Sequence, residues 1–133
     1  MSGVAVLRAL CLGHAPLLAL VPEERIVGEA LPQEIALPAV SLESISSVDR
    51  RPVAATPVRR VMERVQATVH ARDASERDAV LRLLRAAAAF RIGDYAGFKA
   101  VSVQTEGQGP EFTGDTGIRL RMQDFIVTYN EAA

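Results

Sequence analysis

The sequence predicts an α+β fold: an antiparallel or mixed sheet of four to five strands with two main helices packed on one face. Segments in which apolar and polar residues alternate follow one another in hairpin order, and helical patterns are few. Helices segregated to one face of such a sheet are typical of the α+β class. With 133 residues, the chain is expected to form one domain, residues 1–133, with a substantial hydrophobic core.

The first predicted element is a helix at residues 4–12. Apolar residues lie on both of its sides, Val6 and Leu10 among them, and only Arg8 is charged. A helix on a protein surface normally has a polar back, which is missing here. Either the helix lies between the sheet and another helix, or a second chain covers it.

Gly13 is predicted to end this helix, and Pro16 suits the first turn of a short second helical piece. Residues 25–29 are a candidate for a short strand. Pro38 opens a longer strand, in which Val40 and Leu42 point to one side.

Two Leu-Pro pairs, Leu31-Pro32 and Leu37-Pro38, lie between these two strands. Because proline cannot donate a hydrogen bond to a sheet, we hypothesise that the pairs fix an extended crossing and protect the sheet edge from open-ended pairing. A plain structural crossover is the alternative.

Residues 48–60 are predicted to form a loop or the tip of a long hairpin. Four arginines lie there: Arg50, Arg51, Arg59 and Arg60. Such a basic patch could contact phosphate or an acidic partner. A solvated loop with no specific role for the arginines is the other interpretation.

The clearest strand and the clearest helix follow. Residues 61–71 alternate as in a strand with one wet side, on which His70 lies. Asp73 and Glu76 form a capping-box pattern that begins a helix to about Ile92, with Gly93 at the position that glycine favours after a helix.

The last part of the chain is predicted to form two strands, residues 99–106 and 117–129, joined by a glycine-rich loop. After Asp124 the apolar positions shift phase by one residue to Phe125, Val127 and Tyr129. A shift of this kind predicts a bulge, or a strand that leaves one neighbour and joins another.

Composition and motifs argue against a catalytic, cofactor-binding or metal-binding site. The 15 basic and 16 acidic residues nearly cancel, and aromatic residues make up only 5%. The chain has one cysteine, Cys11, two histidines, and no metal-ligand or nucleophile motif. We therefore predict no catalytic, cofactor-binding or metal-binding residues, and not an enzyme. The apolar residues 4–21 lack a basic flank, so we expect no signal peptide, no membrane association and synthesis in the cytoplasm.

Four segments carry a resemblance to a known family. They are HAPLLALVPEERIV (14–27) after the first helix, LPQEIALPAVSLESIS (31–46), RRVMERVQATVHARDASERDAVLRLLRAA (59–87) and TGIRLRMQDFIVTYNE (116–131). In this order the chain resembles the tail completion family of long-tailed bacteriophages. That family includes tail terminators and is also found in prophages and gene transfer agents.

The resemblance implies a structural virion protein that forms a homo-oligomeric, often hexameric, ring at the head-proximal end of the tail, at the head-tail junction. Such a ring ends polymerisation of the tail tube and joins tail to head, after assembly in the bacterial host cytoplasm. Its implied partners are other copies of itself, the tail tube protein, a head-tail connector or stopper protein, and DNA that passes through without sequence-specific binding.

Three other functions stay open at this point. The nearest is another connector subunit of the neck. The more remote ones are a small ligand-binding α+β domain and a nucleic-acid binder that uses the four arginines of the 48–60 loop.

A ring needs two different surfaces on each subunit. The candidates for contacts with other copies or partners are the apolar first helix, the loop arginines and the phase-shifted final strand. By residue they are Val6, Leu10, Arg50, Arg51, Arg59, Arg60, Phe125, Val127 and Tyr129.

Overall fold

The computed structural model describes residues 2–32, 34–50, 58–114 and 117–132. Its helices are α1 (Ser2–Leu12), α2 (Ala15–Leu20), a 3-10 turn (Glu23–Arg25) and α3 (Ala74–Ala88). Its strands are β1 (Ile26–Val27), β2 (Ala39–Arg50), β3 (Val58–Ala71), β4 (Ile92–Tyr95), β5 (Phe98–Gln108), β6 (Phe112–Thr113) and β7 (Arg119–Ala132).

The seven described strands belong to one sheet. Six of them follow the order β1-β2-β3-β7-β5-β4, and the seventh, β6, lies off this order and pairs with β7. The β1–β2 pair is parallel and the others are antiparallel. The predicted α+β class is confirmed, but the predicted number of strands, four to five, is too low. The strands β4 and β6 have only four and two residues, too few to show an alternating pattern.

The helices pack on one face of the sheet and form the core with it. In β3 the side chains alternate between buried, as at Val61 and Val65, and half-buried or exposed, as at Met62 and Gln66. The largest apolar side chains that are fully buried include Phe125 and Leu7. Full burial of a side chain of this size contributes about 1.5–3 kcal/mol, so this layer is the main source of stability.

The N-terminus of α3 has the predicted cap in a slightly altered form. Asp73, the N-cap residue, accepts a hydrogen bond at Oδ1 from the Glu76 amide at 2.8 Å. Glu76 Oε1 in turn accepts one at 3.0 Å from the amide of Arg72, the residue before the N-cap. One donor of the first turn and the amide that precedes the helix are thereby satisfied.

The end of α3 differs from the prediction. The helix stops at Ala88 rather than near Ile92, and Phe90 takes the left-handed conformation that follows it, with φ 61°. Gly93 (φ 152°) lies in β4 instead. The Arg91 guanidinium donates to the carbonyls of Ala86 and Ala87, which satisfies acceptors that the helix end exposes.

Beside β3 the final strand is regular, so a bulge in it is wrong, but on its other side β7 passes from β6 to β5, which is the predicted change of neighbour. β7 pairs with β3 without a shift from Arg119↔Ala71 to Ala132↔Val58. The irregularities lie in β5, between Lys99 and Ser102 and between Thr105 and Gly107.

The apolar phase of the sequence shifts because two polar residues of β7 occupy the helix-facing side near its start. Arg121 contacts Glu111 at 3.0 Å, and Gln123 Nε2 donates to the Gly107 carbonyl at 3.2 Å. Their apolar neighbours Leu120 and Met122 lie on the other face of the sheet. Among the helices that the structure describes, none is long and apolar enough to cross a membrane.

Candidate assembly surfaces

The predicted apolar interface residues lie inside the chain's own core. Val6, Leu10, Phe125, Val127 and Tyr129 are all 8% exposed or less. The helix α1 contacts the sheet on one side and both α2 and α3 on others. Coverage within one chain therefore accounts for its missing polar back, and no second chain is needed to explain it.

Two of the predicted arginines are engaged within the chain. Arg59 pairs with Glu131 at 3.1 Å and Asp49 at 3.6 Å. Arg60 Nη1 donates to the Ala100 carbonyl at 2.7 Å and to Asn130 Oδ1 at 3.0 Å. Their charges are used to join β3 to its neighbours.

The other two predicted arginines cannot be placed in the same way. Arg50 is the last residue of β2, and its side chain is not described. Arg51, with the tip of the 48–60 loop, lies outside the described residues.

Glu63 is a buried acid that the sequence analysis missed, although an acid at an inward position of an alternating strand is a usable signal. Its side chain is 2% exposed. Glu63 Oε1 accepts hydrogen bonds from Tyr129 Oη at 2.8 Å and from the Gly3 amide at 3.1 Å. Burial alone would raise the pKa of Glu63, but the bonds from Tyr129, Gly3 and Ser44 lower it.

The Glu63 contact fixes the start of α1 on the sheet. A Cβ at Gly3 would lie 2.7 Å from Glu63 Cδ, so glycine permits the close approach. On the other partner, burial and the Glu63 carboxylate raise the pKa of Tyr129 to about 12. The phenol therefore stays a hydrogen-bond donor at neutral pH.

Cys11 and His70 have surroundings that suit structural roles. Burial raises the pKa of the Cys11 thiol to about 12, so the reactive thiolate is scarce at neutral pH. His70 is half-buried, burial lowers its pKa, and Nε2 lies 3.3 Å from Ser41 Oγ. Within the described ranges, no group of three or more His, Cys, Asp or Glu side chains could hold a metal ion.

One edge of the sheet is largely uncovered. β1 pairs only with Val40 and Ser41 of β2, so residues 42–50 have no strand on their outer side in the part of the chain that is described. Pro38 precedes the strand and Pro32 is farther away. The two prolines therefore do not protect this length of the edge, contrary to the hypothesis.

A groove of about 570 Å³ lies at the uncovered edge, between α1 and β2. Val4 and Ala30 contribute apolar surface to it, and we call it the α1–β2 groove. Glu29 and Glu43 also line it and form its acidic rim. Neither acid has an ion-pair partner among the described residues.

The opposite edge of the sheet, at β4, has a different character. Phe90 and Ile92 are 75% and 78% exposed, more than any other large hydrophobic residue that the structure describes. We call this pair the β4 knob. The exposed arginines of α3 and the turn after it lie in two different surroundings. Arg82 and Arg85 line a shallow depression with Asp78 and Gln108, whereas Arg91 lies near His14.

Comparison with known protein families then decides the identity. The family model described as tail completion protein gp17 matches residues 5–130. The chain belongs to the tail completion family. It is therefore a structural protein of a phage or phage-like tail, and its place is the virion tail.

A solved structure shares the fold of this tail completion protein. The chain is similar to one in a structure titled "Virion of native gene transfer agent (GTA) particle", with a TM-score of 0.78 and 13% sequence identity. The similarity covers 96% of this chain and 94% of the other. No curated protein matches the sequence.

The face of the sheet opposite the helices is a further exposed surface of this tail completion protein. Arg64 pairs there with Asp124 at 2.7 Å. Val48 and Met62, which are cross-strand neighbours, are 53% and 45% exposed. This face combines paired charges with a small apolar patch.

Proposed function

We propose that the protein is a ring-forming tail terminator. In this role it binds the head-proximal end of the tail tube, ends tube polymerisation and joins the tail to the head. Family membership supports a function in the tail. The observation that carries the finer proposal is the contrast between the two sheet edges, one with a groove lined by two acids, the other with an exposed apolar pair.

Unlike edges suit a ring for a geometric reason. When identical subunits join through two different surfaces, each contact leaves one surface of each kind free at the ends of the assembly. The chain of subunits closes when the rotation between neighbours divides a full circle. We propose a ring of six, built from single-domain subunits of residues 1–133.

The proposed work is done by surfaces and not by catalysis. The buried thiol of Cys11 and the strand residue His70 are not placed as a nucleophile and its base. The remaining partners would be the tube protein on one side of the ring and a connector or stopper protein on the other. DNA would pass through the opening without sequence-specific contacts.

Deleting the gene from the phage or prophage that encodes it tests this function. We expect tubes of irregular, excessive length and heads that are not joined to tails, visible by negative-stain electron microscopy. Supplying the wild-type protein from a plasmid should restore tails of normal length. Tails of normal length joined to heads after deletion would refute the proposal.

The same deletion experiment distinguishes a tail terminator from the second candidate function, another connector subunit of the neck. A connector is needed only after the tube has stopped growing. Its loss would leave tails of normal length beside unjoined, DNA-filled heads, whereas loss of a terminator changes tail length itself.

A further inference from the structure

The segment that joins β2 to β3 has a composition unlike the strands on either side. Residues 51–57, RPVAATP, contain two prolines and follow another arginine, and residues 50–62 contain no acid. They lie outside the described residues. Proline disfavours helical backbone in the residue before it, so this sequence favours extended conformations. A basic, extended segment with small apolar residues at its centre suits an acidic groove beside a free strand edge.

The α1–β2 groove has these properties. Beyond Ser41 the outer side of β2 has no strand in the described part of the chain, so its backbone groups can pair with an added strand. Val4 and Ala30 supply apolar surface. Glu29 and Glu43 supply negative charge, since neither has an ion-pair partner among the described residues. An added strand would itself be an edge strand, where proline is tolerated.

The walls of the groove are fixed by contacts within the chain. The Nε of Arg8 on α1 donates to the Ile26 carbonyl of β1 at 2.9 Å. Gly28 lets the same helix come close, because a Cβ there would lie 3.0 Å from Val4 Cγ1. A preformed groove of this kind loses little conformational entropy when it is filled.

The 51–57 segment of a copy cannot reach the groove of the same copy. Ser44, which lines the groove, pairs with Val65 of β3. Arg50, after which the segment begins, pairs with Arg60, so it lies about 17 Å from Ser44 along the strand. Reaching the groove and returning to Val58 would take more than about 35 Å of chain, whereas the seven residues span at most about 28 Å. An occupant with this sequence must come from another copy.

We propose that the 51–57 segment of one copy lies in the α1–β2 groove of the next copy, paired with the free edge of β2 and with Arg51 beside Glu29 and Glu43. This inference rests on the proposed function, because a ring is what brings the segment of one copy to the groove of its neighbour. The contact joins two different parts of the surface, as ring closure requires. It also covers part of the β2 edge that the chain itself leaves open.

Cross-linking between introduced cysteines tests the contact directly. Val53→Cys places a thiol in the segment, and Ala30→Cys places one in the groove. Cys11 is the one natural cysteine, and it should not compete because it is buried and its thiol has a raised pKa. Since the segment cannot reach its own groove, a short bis-maleimide linker should join the double variant into a ladder of dimers and larger species on a denaturing gel.

A second pair of cysteines is the matched control. Val53→Cys/Leu20→Cys keeps the thiol in the segment and moves the other to Leu20, which is 41% exposed on α2 and does not line the groove. This control should stay largely monomeric under the same conditions. A ladder of equal strength in the control, no ladder in the double variant, or a link within one chain would overturn the proposal.

Charge exchange tests the ionic part of the contact by a different measurement. Arg51→Glu should weaken self-association about 10-fold in sedimentation velocity, and so should Glu29→Arg/Glu43→Arg, because like charges then meet. In an equal mixture, alternating copies present opposite charges at every contact, so association should return to the wild-type level. A mixture that associates no better than either variant alone would overturn the pairing of Arg51 with the two acids.

Other occupants of the groove and other partners of the segment give different results. An Arg51→Glu variant that associates with itself as the wild type does, but no longer binds tail tubes or duplex DNA, would assign the segment to that partner. This result would overturn the contact between copies.

Failure of this inference can be told from failure of the proposed function. Normal tails in the deletion strain overturn the terminator role, whatever the cross-linking of purified protein shows. A wild-type protein that restores tail length, together with an Arg51→Glu variant that restores it and associates equally, overturns the contact and leaves the terminator role. A wild type that is monomeric at millimolar concentration overturns the contact whatever the tails show.

Discussion

Glu63 and Arg77 are both buried charges, 2% and 5% exposed, but the fold satisfies them in different ways. Glu63 accepts buried hydrogen bonds from Tyr129 Oη on β7 and from the Gly3 amide on α1. Arg77 pairs with Asp78 at 3.1 Å and with Glu111 at 3.3 Å, and both of these carboxylates are half-exposed or more. The contrast teaches that Glu63 stabilises the core, while Arg77 ties a surface loop to α3.

Glu63→Ala should have the largest effect and tests the first half of this contrast. It leaves the Tyr129 hydroxyl and the Gly3 amide without an acceptor in a buried site, and each such group costs about 1–3 kcal/mol. We expect a loss of about 3 kcal/mol in the free energy of unfolding, measured by urea denaturation. Glu43→Ala, at an exposed acid of β2, is the control and should change little.

Gly3→Ala should have the next largest effect. The added methyl would lie 2.7 Å from Glu63 Cδ and 3.0 Å from Val65 Cγ2, so α1 must move away from β3. Overpacking of this kind costs about 1–3 kcal/mol. Gly107→Ala is the matched control, since a Cβ there meets nothing within 4 Å. An equal loss in both variants would contradict the close approach of α1 to Glu63.

The pH dependence of stability sharpens the contrast. The pKa of Glu63 is lower in the folded chain than its usual 4.5, so the folded chain binds fewer protons in the acid range. Its stabilisation is therefore complete at neutral pH and is lost as the pH falls below 4.5 and through the lowered pKa. Urea unfolding at a series of pH values should show a steeper acid loss for wild type than for Glu63→Gln.

The Arg77 side of the comparison should give the smallest effects. Arg77→Met keeps the packed stem and removes a charge whose partners are solvated, so we expect a loss of about 1 kcal/mol. Glu111→Gln removes a half-exposed partner of both Arg77 and Arg121 and should cost about 0.5 kcal/mol. Losses as large as that of Glu63→Ala would show that the two buried charges are equivalent after all.

Much of the fold follows from local patterns in the sequence. The alternation in β3 and the Asp73–Glu76 capping box predicted a strand and a helix that the structure contains. Such elements are predictable because the relevant contacts lie within a few residues of each other.

The errors arise where distant residues decide the structure. The phase shift in the last strand predicts a bulge or a change of neighbouring strand; the neighbour does change, and the shift itself reflects Arg121 and Gln123, whose partners come from the loop and from β5. The short strand β4 forms only because β5 lies beside it. Neither partner can be located from local periodicity.

The candidate surfaces were predictable to a smaller extent. The sequence predicts Val6 and Phe125 as contact residues, but the structure buries them, because an apolar residue that binds a neighbour and one that fills the core look alike in sequence. The β4 knob was missed because a continuing helix was expected at Phe90. The groove at one sheet edge and the exposed apolar pair at the other can be located only when the strand order is known.

The uncovered edge of β2 has a consequence for the supply of subunits before a tail is ready for them. Between Leu42 and Arg50 the strand contains three serines and two acids beside the exposed Ile45 and Val48, and its charged residues disfavour the stacking of strands into fibres. We therefore expect free subunits to be stored at high concentration in the host without aggregating. Production of the protein would then not need to be timed to tube growth.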